Sequence, residues 1–191
     1  MKGEILPCTL ESVKKIEDYA KREPVVIPTD TLYGLSMSIY GEVRKIFLLK
    51  RRDPTKRIPV GVSDIGMMEE IAHLSDEARI LVTRFMPGAL TLVLRSKIPE
   101  ITGDTVGVRI PNHFVPIELA RRIGPITLTS ANVSGERNPV RLEDTFSVDV
   151  RYRIDCGELS GKPSTIVSLV DGINLIREGA IPFSAILKAL E

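Results

Sequence analysis

The sequence predicts an α/β or α+β fold, built on a twisted β-sheet of mixed strand direction with flanking helices. Apolar, β-branched runs of strand length alternate with stretches whose apolar residues recur at helical spacing. Hairpin connections stand beside strand–helix–strand crossovers, and this combination favours a mixed sheet over a doubly wound nucleotide fold. A length of 191 residues without repeats or linkers favours a single domain over residues 1–191.

The first half of the chain is predicted to be mainly helical. Its predicted elements are a helix at 10–22, a strand at 25–28 and helices at 43–50, 67–73 and 76–84. The first helix should end before the Glu23-Pro24 pair, because proline disfavours helical backbone in the residue that precedes it. Ser63 or Asp64, and Ser75, are the expected N-terminal caps of the last two helices.

The second half is richer in strands. Its predicted elements are strands at 90–95, 106–109, 125–129, 165–170 and 173–176 and helices at 115–122 and 182–190. Asp171-Gly172 is a tight turn signal between the last two strands, which should therefore form a hairpin.

Composition indicates a globular chain and excludes several classes of protein. Hydrophobic residues make up 43% and charged residues 27%, which is too apolar for intrinsic disorder. Because the only cysteines are Cys8 and Cys156 and the only histidines are His73 and His113, neither a disulfide framework nor a protein metal site is expected. The cysteines should be small buried residues without a redox role. No apolar run has the length of a signal peptide or membrane span, so a cytoplasmic location without membrane contact is expected.

The common phosphate-binding and nucleophile motifs are missing from the sequence. Neither Gly-x-x-x-x-Gly-Lys-Ser/Thr nor Gly-x-Gly-x-x-Gly occurs. Neither histidine stands in the context of a Ser-His-Asp or Cys-His site, so covalent catalysis is a weak hypothesis. Hydroxyls, amides and guanidiniums remain as the groups that would position reactants and stabilise phosphoryl charge.

Positive charge is concentrated in one segment. Residues 44–57 hold seven Lys or Arg against one acid, Asp53, although the whole chain balances 26 cations against 25 anions. This local excess suits a small polyanion such as a nucleoside triphosphate, because focused positive potential raises the local anion concentration. Part of the charge follows the helix at 43–50, where it could serve the helix dipole alone.

Polar groups also stand at the ends of predicted strands. The run Ser130-Ala131-Asn132 combines small residues with an amide and suits close approach of a ligand, and an ordinary turn is equally consistent. Arg109 lies in an apolar strand and suits a planar carboxylate, unless it is a surface arginine on an edge strand. Hydroxyls open the strand that follows Pro163.

Together these segments resemble the YrdC-type threonylcarbamoyl-AMP synthase family in its short, single-domain form. The resemblance rests on 28–35 (Pro-Thr-Asp-Thr-Leu-Tyr-Gly-Leu), Lys50-Arg51-Arg52, 105–111, 130–135 (Ser-Ala-Asn-Val-Ser-Gly) and 163–167. Lys50, Arg52, Ser130 and Asn132 match the family's Lys-x-Arg and later Ser-x-Asn signature. The resemblance implies an α/β sheet twisted around a deep basic cavity.

The resemblance implies a nucleotidyltransferase that condenses L-threonine, bicarbonate or CO2, and ATP into threonylcarbamoyl-AMP and pyrophosphate. Magnesium would accompany the ATP. The product would pass to the complex that installs N6-threonylcarbamoyladenosine (t6A) in tRNA. The threonine nitrogen would attack the carbon of bicarbonate or CO2, and the carbamate oxygen would then attack the α-phosphate, so no covalent bond to the protein is needed.

The resemblance also implies roles for individual residues. Lys50 and Arg52 would be catalytic. ATP would contact Lys50, Arg52, Lys56, Thr105, Asn132 and Arg177. L-threonine would contact Thr31, Arg109, Ser130 and Ser164, with Arg109 on its carboxylate. The sequence leaves open whether Asp30 or water accepts the proton of the amine, and Asp30 is equally consistent with a carboxylate that caps a turn.

One segment departs from the family pattern. Many relatives have an Asn-Pro-Leu-like run after the Lys-x-Arg, where this chain reads Lys56-Arg57-Ile58-Pro59. Gly61 stands where some members carry a histidine near threonine, so that contact is in doubt. The loop at 51–60 is rich in charge and is the candidate lid over the ligand.

Two alternative functions stay open. A basic concave surface would also suit tRNA or double-stranded RNA without synthase activity, recognised by shape and phosphate because aromatics are only 5% of the chain. A net charge of +1 makes strong binding to duplex phosphates less favourable than ATP chemistry. The second alternative is a YrdC-like paralogue with another activity, such as carbamoyl-adenylate transfer, and retention of the signature residues argues against it.

Overall fold

The computed structural model describes residues 3–191. The strands are β1 (Glu4–Pro7), β2 (Val25–Ile27), β3 (Gly34–Ser36), β4 (Val60–Gly61), β5 (Leu90–Arg95), β6 (Thr105–Arg109), β7 (Ile126–Thr127), β8 (Thr129–Ser130), β9 (Tyr152–Asp155), β10 (Thr165–Ser168) and β11 (Asn174–Arg177). The helices are α1 (Leu10–Ala20), α2 (Arg44–Lys50), α3 (Ile65–Ile71), α4 (Asp76–Phe85), α5 (Pro99–Thr102), α6 (Phe114–Ile123) and α7 (Phe183–Lys188), with a 3-10 turn at Leu142–Thr145.

The strands form two mixed sheets. The first has the order β1-β9-β2-β3-β8 and the second the order β11-β10-β5-β6-β4-β7. In the first, β1 and β9 are parallel while β2 and β3 are antiparallel; in the second, β10 and β5 are parallel while β5 and β6 are antiparallel. The predicted mixed α/β class is confirmed, and its strands are divided between two sheets.

All six predicted helices form, with ends within two residues of the expected positions. Asp64 and Ser75 are caps as expected, because their side chains accept the backbone N–H groups of Met67 and Ala78. The predicted strand at 125–129 is split into β7 and β8. At the break, the Leu128 N–H donates to the Pro59 carbonyl (2.7 Å), and the chain passes from the second sheet into the first.

Four strands were missed by sequence reasoning: β1, β3, β4 and β9. Each has four residues or fewer, so the alternating pattern has little length in which to show. β9 also contains Arg153, which is fully buried and donates to the Val148 and Val150 carbonyls. A cation in the middle of a buried strand conceals the apolar signal.

Cys8 and Cys156 form a disulfide, which contradicts the expectation that this chain has none. The two cysteines are 148 positions apart in the sequence. Cys8 directly follows Pro7 and Cys156 directly follows Asp155, and Pro7 and Asp155 are the last pair of the parallel β1/β9 ladder. Their Cα atoms are 4.9 Å apart, within the range that a disulfide requires. Both are half-buried. Sequence spacing could not show the pairing, because the sheet alone brings the two strand ends together.

The core has three parts. α1 and α6 pack against β1, β2 and β9, while α3, α4 and α7 pack against the second sheet. A third cluster joins β2 and β3 to α2 and to the segment around the 3-10 turn. Among residues 3–191, no helix has the length and apolar character needed to cross a membrane.

Candidate active site

A cavity of about 500 Å³ lies between the two sheets. β3 and β8 line it from the first sheet, and β5, β6, β10 and β11 line it from the second. Four arginines line it, Arg52, Arg57, Arg109 and Arg177. The described residues of its lining include no carboxylate. Arg109 is paired with Asp30, which is outside the lining, but the guanidiniums of Arg52, Arg57 and Arg177 leave an excess of positive charge that suits an anion.

Hydroxyls and apolar groups complete the lining. The hydroxyls of Ser and Thr belong to Thr29, Thr31, Thr91, Thr105, Thr129, Ser130 and Ser164. The apolar side chains include Val93, Leu128, Ile166 and Ile176. Such a mixture suits a ligand that has both a charged and an apolar part, because a few polar groups can fix its orientation while the apolar wall covers the rest.

Thr29 organises the turn that follows β2. Its Oγ1 accepts the N–H groups of Thr31 and Leu32, both at 3.1 Å, and donates to the Leu32 carbonyl at 2.7 Å. Thr31 Oγ1 lies 3.0 Å from Thr29 Oγ1 and lines the cavity. The turn-capping role that the sequence offered to Asp30 is therefore filled by Thr29.

Arg109 is buried at the end of β6, which excludes the alternative of a surface arginine on an edge strand. Its Nη2 donates to Asp30 Oδ1 (2.6 Å), its Nη1 to Thr31 Oγ1 (3.1 Å) and its Nε to the Gly88 carbonyl (2.8 Å). Burial lowers the pKa of the guanidinium, and the charge of Asp30 opposes that shift. Arg109 thus already holds one carboxylate, as its forked donors favour.

Lys50 lies beneath the cavity and does not line it. Its Nζ donates to the backbone carbonyls of Ser130 and Asn132, the latter at 2.7 Å, and lies 3.2 Å from Asn132 Oδ1. Burial, with the nearby charge of Arg52 as a second cause, lowers the pKa of Lys50 to about 8. The Lys-x-Arg and Ser-x-Asn motifs are therefore in contact although Lys50 and Ser130 are 80 residues apart in the sequence, because Lys50 donates to the Ser130 carbonyl at the end of β8.

Asn132 is buried and its amide is fully engaged. Its Oδ1 accepts from Ser130 Oγ (2.7 Å), and its Nδ2 donates to the carbonyls of Glu136 (2.9 Å) and Arg137 (3.1 Å). Ser130 lines the cavity whereas Asn132 does not. In this arrangement Asn132 fixes the orientation of the Ser130 hydroxyl.

Arg52 reaches the cavity because α2 ends abruptly before it. Arg51 adopts a left-handed conformation (φ 47°), which turns the chain out of the helix. Arg52 Nη2 donates to the Arg57 carbonyl (2.9 Å), and burial lowers the pKa of the Arg52 guanidinium. Its Nε is buried without a hydrogen-bond partner.

The basic segment 44–57 does not face the cavity as a whole. Only Arg52 and Arg57 line it. Lys56 is exposed outside the lining, and Lys45 forms an ion pair with Glu23 at 2.5 Å. The remaining cations of the cavity, Arg109 and Arg177, come from distant segments that the local charge pattern could not identify.

Arg177 and Ser164 meet in the wall that the second sheet contributes to the cavity. Arg177 Nη2 donates to the Ser164 carbonyl (2.8 Å), and the Ser164 hydroxyl lies 2.9 Å from Thr91 Oγ1. Burial lowers the pKa of Arg177, and the positive charge of Arg109 adds to that shift. This second cation close to Arg109 strengthens the positive potential of the site.

Seven of the ten residues implied by the resemblance line one cavity: Thr31, Arg52, Thr105, Arg109, Ser130, Ser164 and Arg177. Lys50, Lys56 and Asn132 do not. Sequence reasoning missed Thr29, Arg57, Thr91, Leu128, Thr129 and Asn138 as lining residues. Thr29 was visible within the 28–35 motif, Arg57 as part of the basic segment, and Thr91 as the polar position of an apolar strand. Leu128, Thr129 and Asn138 carry no distinctive signal.

Three groups that could ligate a soft metal come together only at Cys8, His113 and Cys156, within the described part of the chain. The two sulfurs are bonded to each other, and His113 Nδ1 accepts the Val115 N–H as the cap of α6. His113 does not line the cavity. This donor set does not suit magnesium, which prefers oxygen ligands.

A second, more open groove of about 820 Å³ lies on another face of the molecule. It is lined by both signs of charge, with Glu23 and Asp149 beside Lys45 and Arg151. This balance gives no preference for an anion, so the cavity between the sheets is the candidate active site.

A family model named Sua5_yciO_yrdC and described as telomere recombination matches residues 11–179. The chain belongs to the Sua5/YciO/YrdC family. The matched range includes Lys50, Ser130 and Asn132.

Relatives in this family are similar over most of the chain. A protein of Methanocaldococcus jannaschii, named provisionally as a threonylcarbamoyl-AMP synthase, is 37% identical over 93% of this chain and 92% of its own length. Threonylcarbamoyl-AMP synthase of Bacillus subtilis is 36% identical, over 84% of this chain and 51% of its own length. The chain therefore spans nearly the whole of the first relative and about half of the second.

Solved structures of the family have the same fold. The structure of Pyrococcus abyssi Sua5 complexed with L-threonine has a TM-score of 0.87 and 31% identity, covering 98% of this chain and 61% of that one. Escherichia coli YciO has a TM-score of 0.83 at 20% identity, which shows the fold alone; the match covers 94% of this chain and 97% of that one.

Proposed function

We propose that the protein is a threonylcarbamoyl-AMP synthase, which condenses L-threonine, bicarbonate or CO2, and ATP and releases pyrophosphate. The observation that carries this proposal is the wall of the cavity between the sheets, in which four arginines and seven Ser or Thr residues converge, while the lining includes no carboxylate and only Arg109 of the four is paired with an acid among the described ion pairs. Relatives named for this activity, and a related structure complexed with L-threonine, support the same substrate class.

L-threonine would bind at the Arg109 end of the cavity. The guanidinium of Arg109 already orients its donors toward a carboxylate and toward Thr31. Ser130 and Ser164 would supply hydroxyls to the same ligand from opposite sheets. Asp30 Oδ1 accepts from Arg109, so the bound threonine carboxylate would either share Arg109 with Asp30 or displace it.

ATP would extend from this point toward Arg52 and Arg177. Arg52 would neutralise the charge that develops on the pyrophosphate leaving group, and Thr105 and Arg177 would contact the nucleotide. Lys50 and Asn132 would contribute by holding Ser130 in place, and they would reach the ligand only if the 130–138 segment shifted. Lys56 would require closure of the 51–60 loop. Magnesium would be held mainly by the phosphates, where it would neutralise their charge.

The reaction would proceed in two steps without a covalent bond to the protein. The threonine nitrogen attacks the carbon of CO2 and forms a carbamate with loss of a proton; if bicarbonate reacts directly, the amine proton leaves with the bicarbonate hydroxyl as water. A carbamate oxygen then attacks the α-phosphorus, and the bond from that phosphorus to the oxygen bridging to the β-phosphate breaks. The arginines of the cavity would stabilise the negative charge on the α-phosphate and on the departing pyrophosphate. The adenylate would pass to a complex that modifies tRNA to t6A.

Binding of tRNA or double-stranded RNA has less support. The cavity of about 500 Å³ has the size of a small-ligand site. The cations of the basic segment diverge, since Arg44 pairs with Glu42 and Lys45 with Glu23 on the outside while Lys50 is buried. They do not form the continuous basic surface that a duplex requires.

The test is pyrophosphate release from ATP and magnesium, with L-threonine and bicarbonate each added and each omitted, followed by mass detection of the adenylate. We expect release only when both co-substrates are present. ATP binding without release under any of these conditions would contradict the synthase activity, and absence of ATP binding together with RNA binding would favour the alternative.

A further inference from the structure

We propose that Arg57 is a positioning residue for the nucleotide end of the cavity, holding the 51–60 loop so that Arg52 and Thr105 face the ligand. The inference rests on the proposed function and adds a residue outside the Lys-x-Arg and Ser-x-Asn signature. Arg57 occupies the segment in which this chain departs from the Asn-Pro-Leu-like run of many relatives.

The side chain of Arg57 ties the loop to the turn that precedes β6. Its Nη1 donates to the Thr102 carbonyl (2.7 Å) and to the Thr105 carbonyl (2.8 Å). The guanidinium of an exposed arginine would ordinarily be hydrated. Because one nitrogen of Arg57 donates to two backbone carbonyls, its guanidinium has a defined position. Through the second bond, Arg57 fixes the backbone of Thr105, whose side chain lines the cavity.

The backbone of Arg57 orients Arg52, the other residue assigned to the nucleotide. Its carbonyl accepts from Arg52 Nη2 at 2.9 Å. Arg52 has no other hydrogen bond among those described, and its Nε is buried without a partner. The position of the Arg52 guanidinium therefore depends on where the loop holds the Arg57 carbonyl.

Like charges make this tether necessary. Arg52 and Arg57 both line the cavity, and the charge of Arg52 contributes to the lowered pKa of the buried Lys50. Cations that repel one another would move apart on an untethered loop. The two carbonyl acceptors of Arg57 oppose that movement before any anion is bound.

The space that the Arg57 guanidinium occupies exists because residue 103 is a glycine. Gly103 has φ +75°, and a Cβ at that position would lie 2.4 Å from Arg57 Nη1. Replacing Gly103 by alanine would therefore displace the guanidinium while leaving every charge of the site in place. Gly172 has a similar φ of +83° with no atom within 4 Å of its Cβ position, so it is a matched control for backbone strain alone.

The test compares Arg57→Ala, Arg57→Lys and Gly103→Ala with two controls, Gly172→Ala and Arg84→Ala, the latter removing an exposed arginine on α4. Amide hydrogen exchange of residues 51–60 is measured in the ligand-free protein, ATP affinity by calorimetry, and kcat and KM by pyrophosphate release. Exchange is independent of any ligand, so it reports on the tether even if the chain proves not to be a synthase.

We expect Arg57→Ala and Gly103→Ala to accelerate exchange of the loop at least tenfold and to raise the KM for ATP about tenfold, with the KM for threonine within twofold of wild type. Arg57→Lys should restore part of both effects, and both controls should match wild type. Unchanged loop exchange in Arg57→Ala would overturn the proposal. Faster exchange with unaltered ATP affinity would also overturn it, and loss of affinity in Arg57→Ala but not in Gly103→Ala would show that only the charge of Arg57 matters.

A wild-type chain that binds ATP without releasing pyrophosphate would contradict the proposed synthase activity alone. In that case the exchange and calorimetric comparisons would still decide whether Arg57 positions the loop.

Discussion

Arg109 and Asp30 form an ion pair at 2.6 Å between Nη2 and Oδ1, with side chains only 6% and 16% exposed. The pair joins β6 of the second sheet to the turn after β2 of the first, so it holds the two walls of the cavity together. Removing one partner of a buried ion pair strongly lowers the free energy of unfolding, because the remaining charge stays buried without a counter-charge.

Asp30→Ala should therefore lower the free energy of unfolding by about 3 kcal/mol, because it leaves the Arg109 guanidinium buried without its counter-charge. Urea denaturation at pH 7 measures the change. Asp18→Ala is the control: Asp18 pairs with Lys21 at the surface, and its loss should not be measurable. Equal stability of Asp30→Ala and wild type would show that the pair does not hold the walls together.

Arg52→Ala and Lys50→Ala should have different effects. Arg52→Ala is expected to slow adenylate formation by about 100-fold or more, since a cation that stabilises developing charge is lost, and to leave the unfolding midpoint nearly unchanged. Lys50→Ala is expected to lower both activity and stability, because the carbonyls of Ser130 and Asn132 lose their buried donor.

Initial rates of pyrophosphate release and thermal unfolding curves distinguish the two variants. A Lys50→Ala protein that unfolds like wild type but is inactive would instead place Lys50 in direct contact with the triphosphate. A wild-type rate in Arg52→Ala would remove the assigned phosphate role of Arg52.

The lowered pKa of Lys50 predicts a pH dependence of stability. Its folded-state pKa of about 8 lies below the usual 10.5. Between these values the unfolded chain binds more protons than the folded chain, so the free energy of unfolding should rise with pH through that window. Relative to Lys50→Met, wild type should gain about 1–2 kcal/mol between pH 7.5 and pH 9.5.

Urea denaturation of both proteins across that range measures the difference. The comparison with Lys50→Met removes the contribution of other groups that titrate in the same window. A difference that stays constant with pH would show that the buried amine keeps an ordinary pKa.

The disulfide predicts a response to reductant. Cys8→Ser should lower the free energy of unfolding by about 2–4 kcal/mol, because the crosslink closes a long loop and restricts the unfolded chain. Wild type in dithiothreitol should lose a similar amount, whereas Cys8→Ser should not respond. Equilibrium urea unfolding with and without the reductant is the measurement, and a wild type insensitive to dithiothreitol would contradict a structural role for the bond.

The helices were predictable because their signals are local. A helical period and a cap are properties of neighbouring residues, and Asp64 and Ser75 cap the helices at the expected positions. The signature residues were also local: Lys50 with Arg52 and Ser130 with Asn132 could be paired by their resemblance to a family. The apolar strand β5 was predicted with its correct bounds, Leu90–Arg95.

The tertiary structure alone decided which of these residues share a surface. It placed Lys50 under Ser130 and left Lys56 outside the cavity. It joined Arg109 to Asp30, and it brought Cys8 to Cys156 through the β1/β9 ladder. The physical reason is that sequence patterns report neighbours along one element, while burial, ion pairing and disulfide formation depend on the sheet register that brings distant strand ends together.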